Sequence, residues 1–305
     1  RNAMAVACRR DVARYVSIFI LAFCLLPLAS SEAAVSLLRQ SATITSIDDT
    51  ANGVVSVALS GNFPNNNLKV GQKIVISGTT NYNGTFTIIS VTDQSHFTYE
   101  DTSKTNSTAA EAAGTAGGHY SSFSTWEDQN RNLTSGAGDT EVLECYNDWE
   151  SGYGMTSNLT VSGWVTGAAN NISITVPPTE RHNGTPGSGF RLEFGAGVEI
   201  VLDQPNLYIT FDGIEIDGNG AGGRFNFPSN ANMNPTIKNC IIHDISGSAF
   251  FIRVIGTLHA YNNVIYSISG NAFNFYTTGA GYHYICNNTI YDYDSGGGGN
   301  PAIYL

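Results

Sequence analysis

Three stretches near the end of the chain repeat one pattern: NCIIHDISGSAFFI (239–252), NNVIYSISGNAFNF (262–275) and NNTIYDYDSGGGGNPAIYL (287–305). In register, Ile216, Ile242, Ile265 and Ile290 form one column, at spacings of 26, 23 and 25 residues. Gly213, Asn239, Asn262 and Asn287 form a second column, and Ile214, Cys240, Asn263 and Asn288 a third. Ala249–Phe250, Ala272–Phe273 and Ala302–Ile303 also align. A period near 25 marks one supersecondary unit stacked on its neighbours. That length holds two or three short strands with turns, and it is too short for two helices. Strands of successive units would lie about 4.8 Å apart. The Ile column then fills a core, and an Asn column can form a ladder that satisfies turn backbone. The repeat predicts an all-β fold, a right-handed single-stranded parallel β-helix with one coil per unit.

Composition agrees. Only 13% of the 305 residues are charged and 33 are Gly, which suits short strands and turns better than amphipathic helices. A net charge of −11 argues against nucleic acid as a partner, because phosphate backbones are repelled.

The N-terminus reads as a targeting segment. Arg9, Arg10 and Arg14 precede YVSIFILAFCLLPLA, and the small residues of SSEAA follow. This is the pattern of a secretory signal, expected to be cleaved after Ala33. The run falls short of the ~20 residues of a membrane span. The expected location is therefore secreted or cell-surface, with no stable membrane span after cleavage. Cys145, Cys240 and Cys286 then remain, an odd number without C-x-x-C spacing, and they are expected as buried thiols. The chain stops inside a repeat, which predicts further coils beyond Leu305.

Four regions are expected: a signal peptide at 1–33, a small β module at 41–103, a linker at 104–118 and the β-helix at 119–305. The module has short strands such as GVVSVAL, KIVISG, GTFTIISV and HFTYE, punctuated by Asn- and Gly-rich turns. Its stretch LKVGQKIVISGTTNYNGTFTIISVTDQSHFTY resembles a small β-barrel-like module of phage-tail and bacterial surface proteins. The linker, KTNSTAAEAAGTAGG, is too small and polar to bury much surface. Ser124 and Glu127 have capping-box spacing, which predicts a helix over 125–133 with Trp126 buried.

The segments KNCIIHDISGSAFFI, YNNVIYSISGNAFNF, CNNTIYDYDSG and ITFDGIEIDGNG resemble the pectate-lyase-like (pectin-lyase-like) parallel β-helix superfamily across residues 125–305. The resemblance implies the fold. The superfamily also includes polygalacturonases, phage tailspikes and non-catalytic surface proteins. Its pectate lyases use acidic Ca²⁺ ligands with an Arg or Lys base, and its polygalacturonases use clustered Asp. No stretch of this chain matches either motif.

If the Ile column points inward, its successors Asp217, His243, Tyr266 and Tyr291 point outward, beside Gly218, Asp244, Ser267 and Asp292. Tyr266, Tyr291 and Asp292 are candidate sugar-binding residues, with apolar ring faces and polar edges. For catalysis, Asp217 and Asp244 could supply oxygens and Arg253 or His243 a base. Asp292 and Asp294 alternate ahead of a glycine run and are candidate Ca²⁺ ligands. The leading expectation is an exported carbohydrate-binding protein that takes polysaccharide on its outer face. The alternatives are a polysaccharide lyase or glycoside hydrolase with part of its site beyond residue 305, and a non-catalytic adhesive solenoid.

Overall fold

The computed structural model describes residues 33–50, 53–104, 108–135, 139–228, 232–253, 256–276, 282–294 and 297–304. Residues 1–32, the bulk of the expected signal peptide, lie outside the described residues. Among the described residues, no helix is long and apolar enough to cross a membrane.

The chain is nearly all β. After strand β1 (Ala34–Leu38), six strands close into an antiparallel barrel: β2 (Ala42–Asp49), β3 (Val54–Leu59), β4 (Lys73–Ser77), β5 (Gly84–Asp93), β6 (His96–Glu100) and β7 (Thr115–Gly117). Alternation sets its interior, as in β3, where Val55, Val57 and Leu59 are buried and their neighbours are half-buried. The 104–118 stretch is thus more than a linker, because β7 pairs with both β2 and β4 and closes the barrel. Glycine permits this closure. A Cβ on Gly117 would lie 2.5 Å from the Gln40 carbonyl, and one on Gly118 would lie 2.7 Å from the Leu37 carbonyl.

Helix α1 is Phe123–Glu127, shorter than expected and capped by Ser122 in place of Ser124. Ser122 is extended (φ −146°, ψ 153°), so its hydroxyl can accept the Thr125 N–H at 3.2 Å. Trp126 is fully buried, as expected, and its ring stacks on Trp164 at 5.3 Å.

Eighteen further strands follow in six trios, each adding one strand to each of three parallel sheets. The first trios are β8 (Glu141–Cys145), β9 (Tyr153–Met155), β10 (Leu159–Val161); β11 (Ile172–Thr175), β12 (Arg191–Phe194), β13 (Ile200–Leu202); and β14 (Tyr208–Asp212), β15 (Glu215–Asp217), β16 (Phe225–Phe227). The later ones are β17 (Asn234–Lys238), β18 (Ile241–Ile245), β19 (Phe250–Ile252); β20 (His259–Tyr261), β21 (Val264–Ile268), β22 (Phe273–Phe275); and β23 (Tyr284–Cys286), β24 (Thr289–Ile290), β25 (Ile303–Tyr304). Sheet I runs β1-β8-β11-β14-β17-β20-β23, sheet II β9-β12-β15-β18-β21-β24 and sheet III β10-β13-β16-β19-β22-β25. Because β1 already pairs with β8, the barrel is an insertion after the first strand of sheet I.

The registers follow the repeat. Ile216, Ile242, Ile265 and Ile290 pair in sequence across sheet II. Inward residues of all three sheets meet in one apolar core, where Ile216, Ile242 and Ile265 are fully buried. Each such Ile contributes about 1.5–3 kcal/mol.

Asparagine makes the corners between sheets I and II. Gly213, Asn239, Asn262 and Asn287 have φ of +77°, +55°, +58° and +52°, a left-handed turn that asparagine tolerates. Their side chains form a ladder: Asn287 Nδ2 donates to Asn262 Oδ1, Asn262 Nδ2 to Asn239 Oδ1 at 3.3 Å, and Asn239 Nδ2 to Asp212 at 2.7 Å. A second ladder runs inside it. Asn263 Oδ1 accepts the Cys240 N–H and Asn288 Oδ1 accepts the Asn263 N–H, each at 3.0 Å. Cys145 and Cys240 are buried free thiols. Cys286 is exposed, because it falls on the outward side of β23 beside Tyr261.

Candidate functional site

The outer face of sheet II gathers most of the expected site residues. Asp217 pairs with His243 and His243 with Tyr266, so the outward column forms as alternation requires. Parallel register then stacks the rings: His243 lies 5.1 Å from Tyr266 at 5°, and Tyr266 lies 5.0 Å from Tyr291 at 2°. This stacking changes what the rings can offer. Each covers its neighbour's face, so the strip presents ring edges and hydroxyls. Tyr291, last in the stack, is 49% exposed.

Asp244, Ser267 and Asp292 form the adjacent column. Their φ angles of +53°, +52° and +49° bend the strands, so that Ile245 and Ile268 still reach the core. The bend turns these three side chains to the surface. With Gly220, Ser246 and Ser269 they line a depression of about 300 Å³. Ser267 donates to Asp292 at 3.1 Å.

His243 is the electrostatic centre. Its Nδ1 lies 2.8 Å from Asp244 Oδ2 and 3.9 Å from Asp217 Oδ1, and its Nε2 lies 3.1 Å from Glu215 Oε1. Burial works against its charge. The hydrogen bonds to Glu215 and Asp244 and the charge of Asp217 outweigh that and raise its pKa above the ordinary histidine value. As an imidazolium it donates from both nitrogens, which makes it a poor base. Asp217, His243 and Asp244 place possible ligand atoms within 4.8 Å of one another. A cation could use the imidazole only by breaking one of its carboxylate bonds.

Glu215 escapes a reading of the repeat. It stands on the outward side of β15, yet it is fully buried beneath the 176–190 loop, where Gly187 N–H donates to it at 2.6 Å. The only sequence signal is an acid two residues before Asp217 in GIEID. His182 in the same loop bonds the Asn239 carbonyl at 2.9 Å. Arg191 completes the strip, 3.4 Å from Asp217 and 3.6 Å from Glu193.

Two expected residues lie apart from this cluster. Arg253 follows β19 on sheet III, with its guanidinium over Phe251. Asp294 is engaged by its own glycine loop, accepting from Asn300 Nδ2 at 2.7 Å, Gly299 N–H at 2.7 Å and Gly298 N–H at 3.0 Å. The Asn300 bond leads in holding its carboxyl below the usual range. Asp292 and Asp294 thus serve different partners, Ser267 and the Asn300 loop.

Comparison with protein-family models, curated proteins and solved structures gave no match. The fold and face are those of a nearly all-β protein with three parallel sheets, a closed antiparallel barrel and an acidic, aromatic strip on sheet II.

Proposed function

We propose that this is an exported, non-catalytic polysaccharide-binding protein. Its three sheets are read as a right-handed parallel β-helix, and its ligand site as the outer face of sheet II. The strand trios and the repeat's resemblance to the pectate-lyase-like superfamily support the fold reading. Right-handedness is the rule for parallel crossovers. The signal pattern before Ala34 supports export to the cell surface or medium.

One observation carries the binding reading. The His243–Tyr266–Tyr291 stack runs beside a depression whose rim is Asp244, Ser267 and Asp292. Carboxylates and hydroxyls accept and donate to sugar hydroxyls, and the edges of the stacked Tyr266 and Tyr291 rings add two phenolic hydroxyls to them. The acidic rim disfavours uronates, so the reading specifies a neutral, hydroxyl-rich glycan. The bonds of His243 to Glu215 and Asp244 weigh against a role as eliminating base and so against a lyase.

Affinity electrophoresis through gels containing soluble neutral or acidic polysaccharides tests this. Neutral gels should retard the protein, and Tyr291→Ala and Asp244→Ala should each reduce retardation by an amount equivalent to ~1 kcal/mol. Equal migration in every gel would reject the binding reading. Shortened polysaccharide would establish an enzyme instead.

A further inference from the structure

Almost every cation in the described chain is neutralised. Arg39, Lys69, Lys73, Lys104, Arg131, Arg181, Arg191, Arg224 and Lys238 each lie within 4.0 Å of a carboxylate. Arg253 is the exception, with no carboxylate partner among the described residues, although the chain carries a net charge of −11. Its guanidinium carbon lies 4.5 Å from the Phe251 ring centroid and 5.8 Å from that of Tyr276. Such stacking covers a flat face of the guanidinium and does not use its N–H groups, the donors that can receive a carboxylate with two bonds.

The surrounding face differs in kind from sheet II. Across sheet III the outward column runs Val201, Asn226, Phe251, Asn274, Tyr304. Tyr276 is 68% exposed. Of the two amides on this face, Asn226 Nδ2 bonds Glu199 at 2.7 Å and Asn274 Nδ2 bonds Ser248 at 3.4 Å, while Asn274 Oδ1 is buried without a partner and out of reach of a sugar hydroxyl. What stays free is aromatic surface and one unpaired guanidinium, the composition of protein-interface hot spots.

We propose that the outer face of sheet III around Phe251, Arg253 and Tyr276 docks a protein partner through an acidic segment. A partner carboxylate sits on the Arg253 fork and an apolar side chain lies against Tyr276. The proposal is independent of the glycan reading, which concerns another sheet.

The test uses the full mature chain and a fluorescent glutamate–tyrosine copolymer, followed by anisotropy. The wild type should bind. Arg253→Ala and Tyr276→Ala should each weaken binding about tenfold, and Arg253→Lys should restore it only in part, since an ammonium lacks the fork. Asp244→Ala on sheet II should bind like the wild type. Both sheet III variants alter exposed side chains, and their melting temperatures should match the wild type. No binding by the wild type, or undiminished binding by Arg253→Ala, overturns the proposal. Displacement of the copolymer by polygalacturonate at lower concentration would reassign the face to an anionic glycan. Self-association abolished by Arg253→Ala would reassign it to a second copy of this chain.

Discussion

Arg39 and Asp148 meet in a two-pronged salt bridge, with Nε and Nη2 at 3.0 and 3.1 Å from the two carboxylate oxygens and both side chains fully buried. The pair fastens the inserted barrel to the parallel sheets. Arg39 also donates to the barrel carbonyls of Lys73 (2.8 Å) and Asn67 (3.1 Å), and it lies between the Phe63 and Tyr146 rings. Glu180 extends the joint by accepting from Asn67 and Gln72, each at 2.7 Å. Removing one partner leaves a buried charge. Arg39→Ala should therefore destabilise the protein by about 3–5 kcal/mol in urea unfolding. Arg39→Lys should recover little, since one ammonium cannot replace the fork.

His243 predicts a pH dependence. Its folded pKa is raised above its unfolded value near 6.5 by the bonds to Glu215 and Asp244, against burial. The stability it contributes is complete below pH 6.5 and is lost as pH rises through the folded pKa. His243→Gln should remove that alkaline decline. A ring-proton NMR titration of the wild type should place the His243 midpoint above 6.5.

Asn263 is buried and bonds in three directions, to the Cys240 N–H, the Ile237 carbonyl and Asn288. Asn263→Ala takes that partner from the Cys240 N–H and the Ile237 carbonyl, while Asn288 Oδ1 keeps the bond from the residue 263 N–H. It should cost about 1–3 kcal/mol, measured as a lower urea midpoint with an unchanged slope. Asn262→Ala, on the exposed ladder, should cost less.

Glu127 gives a second pH signal. Its carboxylate accepts from Ser162 N–H at 2.7 Å and Trp164 Nε1 at 2.9 Å, tying α1 to the sheets. Burial pushes its pKa up to about 7 despite these bonds. Between pH 4.5 and 7 the unfolded chain ionises first, so stability should fall across that window and level off above it. Urea midpoints at pH 5 and pH 7.5 should differ less in Glu127→Gln than in the wild type.

Much of the site was legible because period and alternation are local properties. Spacing alone put Asp217, His243, Tyr266 and Tyr291 in one outward column. The same spacing could not show that stacking would cover the ring faces, since that depends on ring orientation across strands. Arg253 fell outside the strip because it follows a strand of another sheet. Asp294 was taken up by backbone N–H groups of the glycine loop that follows it, which charge spacing does not reveal.

By itself the sequence determined the stacking period, the inward Ile column and the Asn column at the turns. Each of these follows from residue types repeated at a fixed interval, read with strand alternation and apolar burial. Only the tertiary structure decided that three-residue β7 closes the barrel, that the barrel is inserted after β1, and that the 176–190 loop buries Glu215 against His243. Those features rest on contacts between residues far apart in the chain, and no local propensity encodes such contacts.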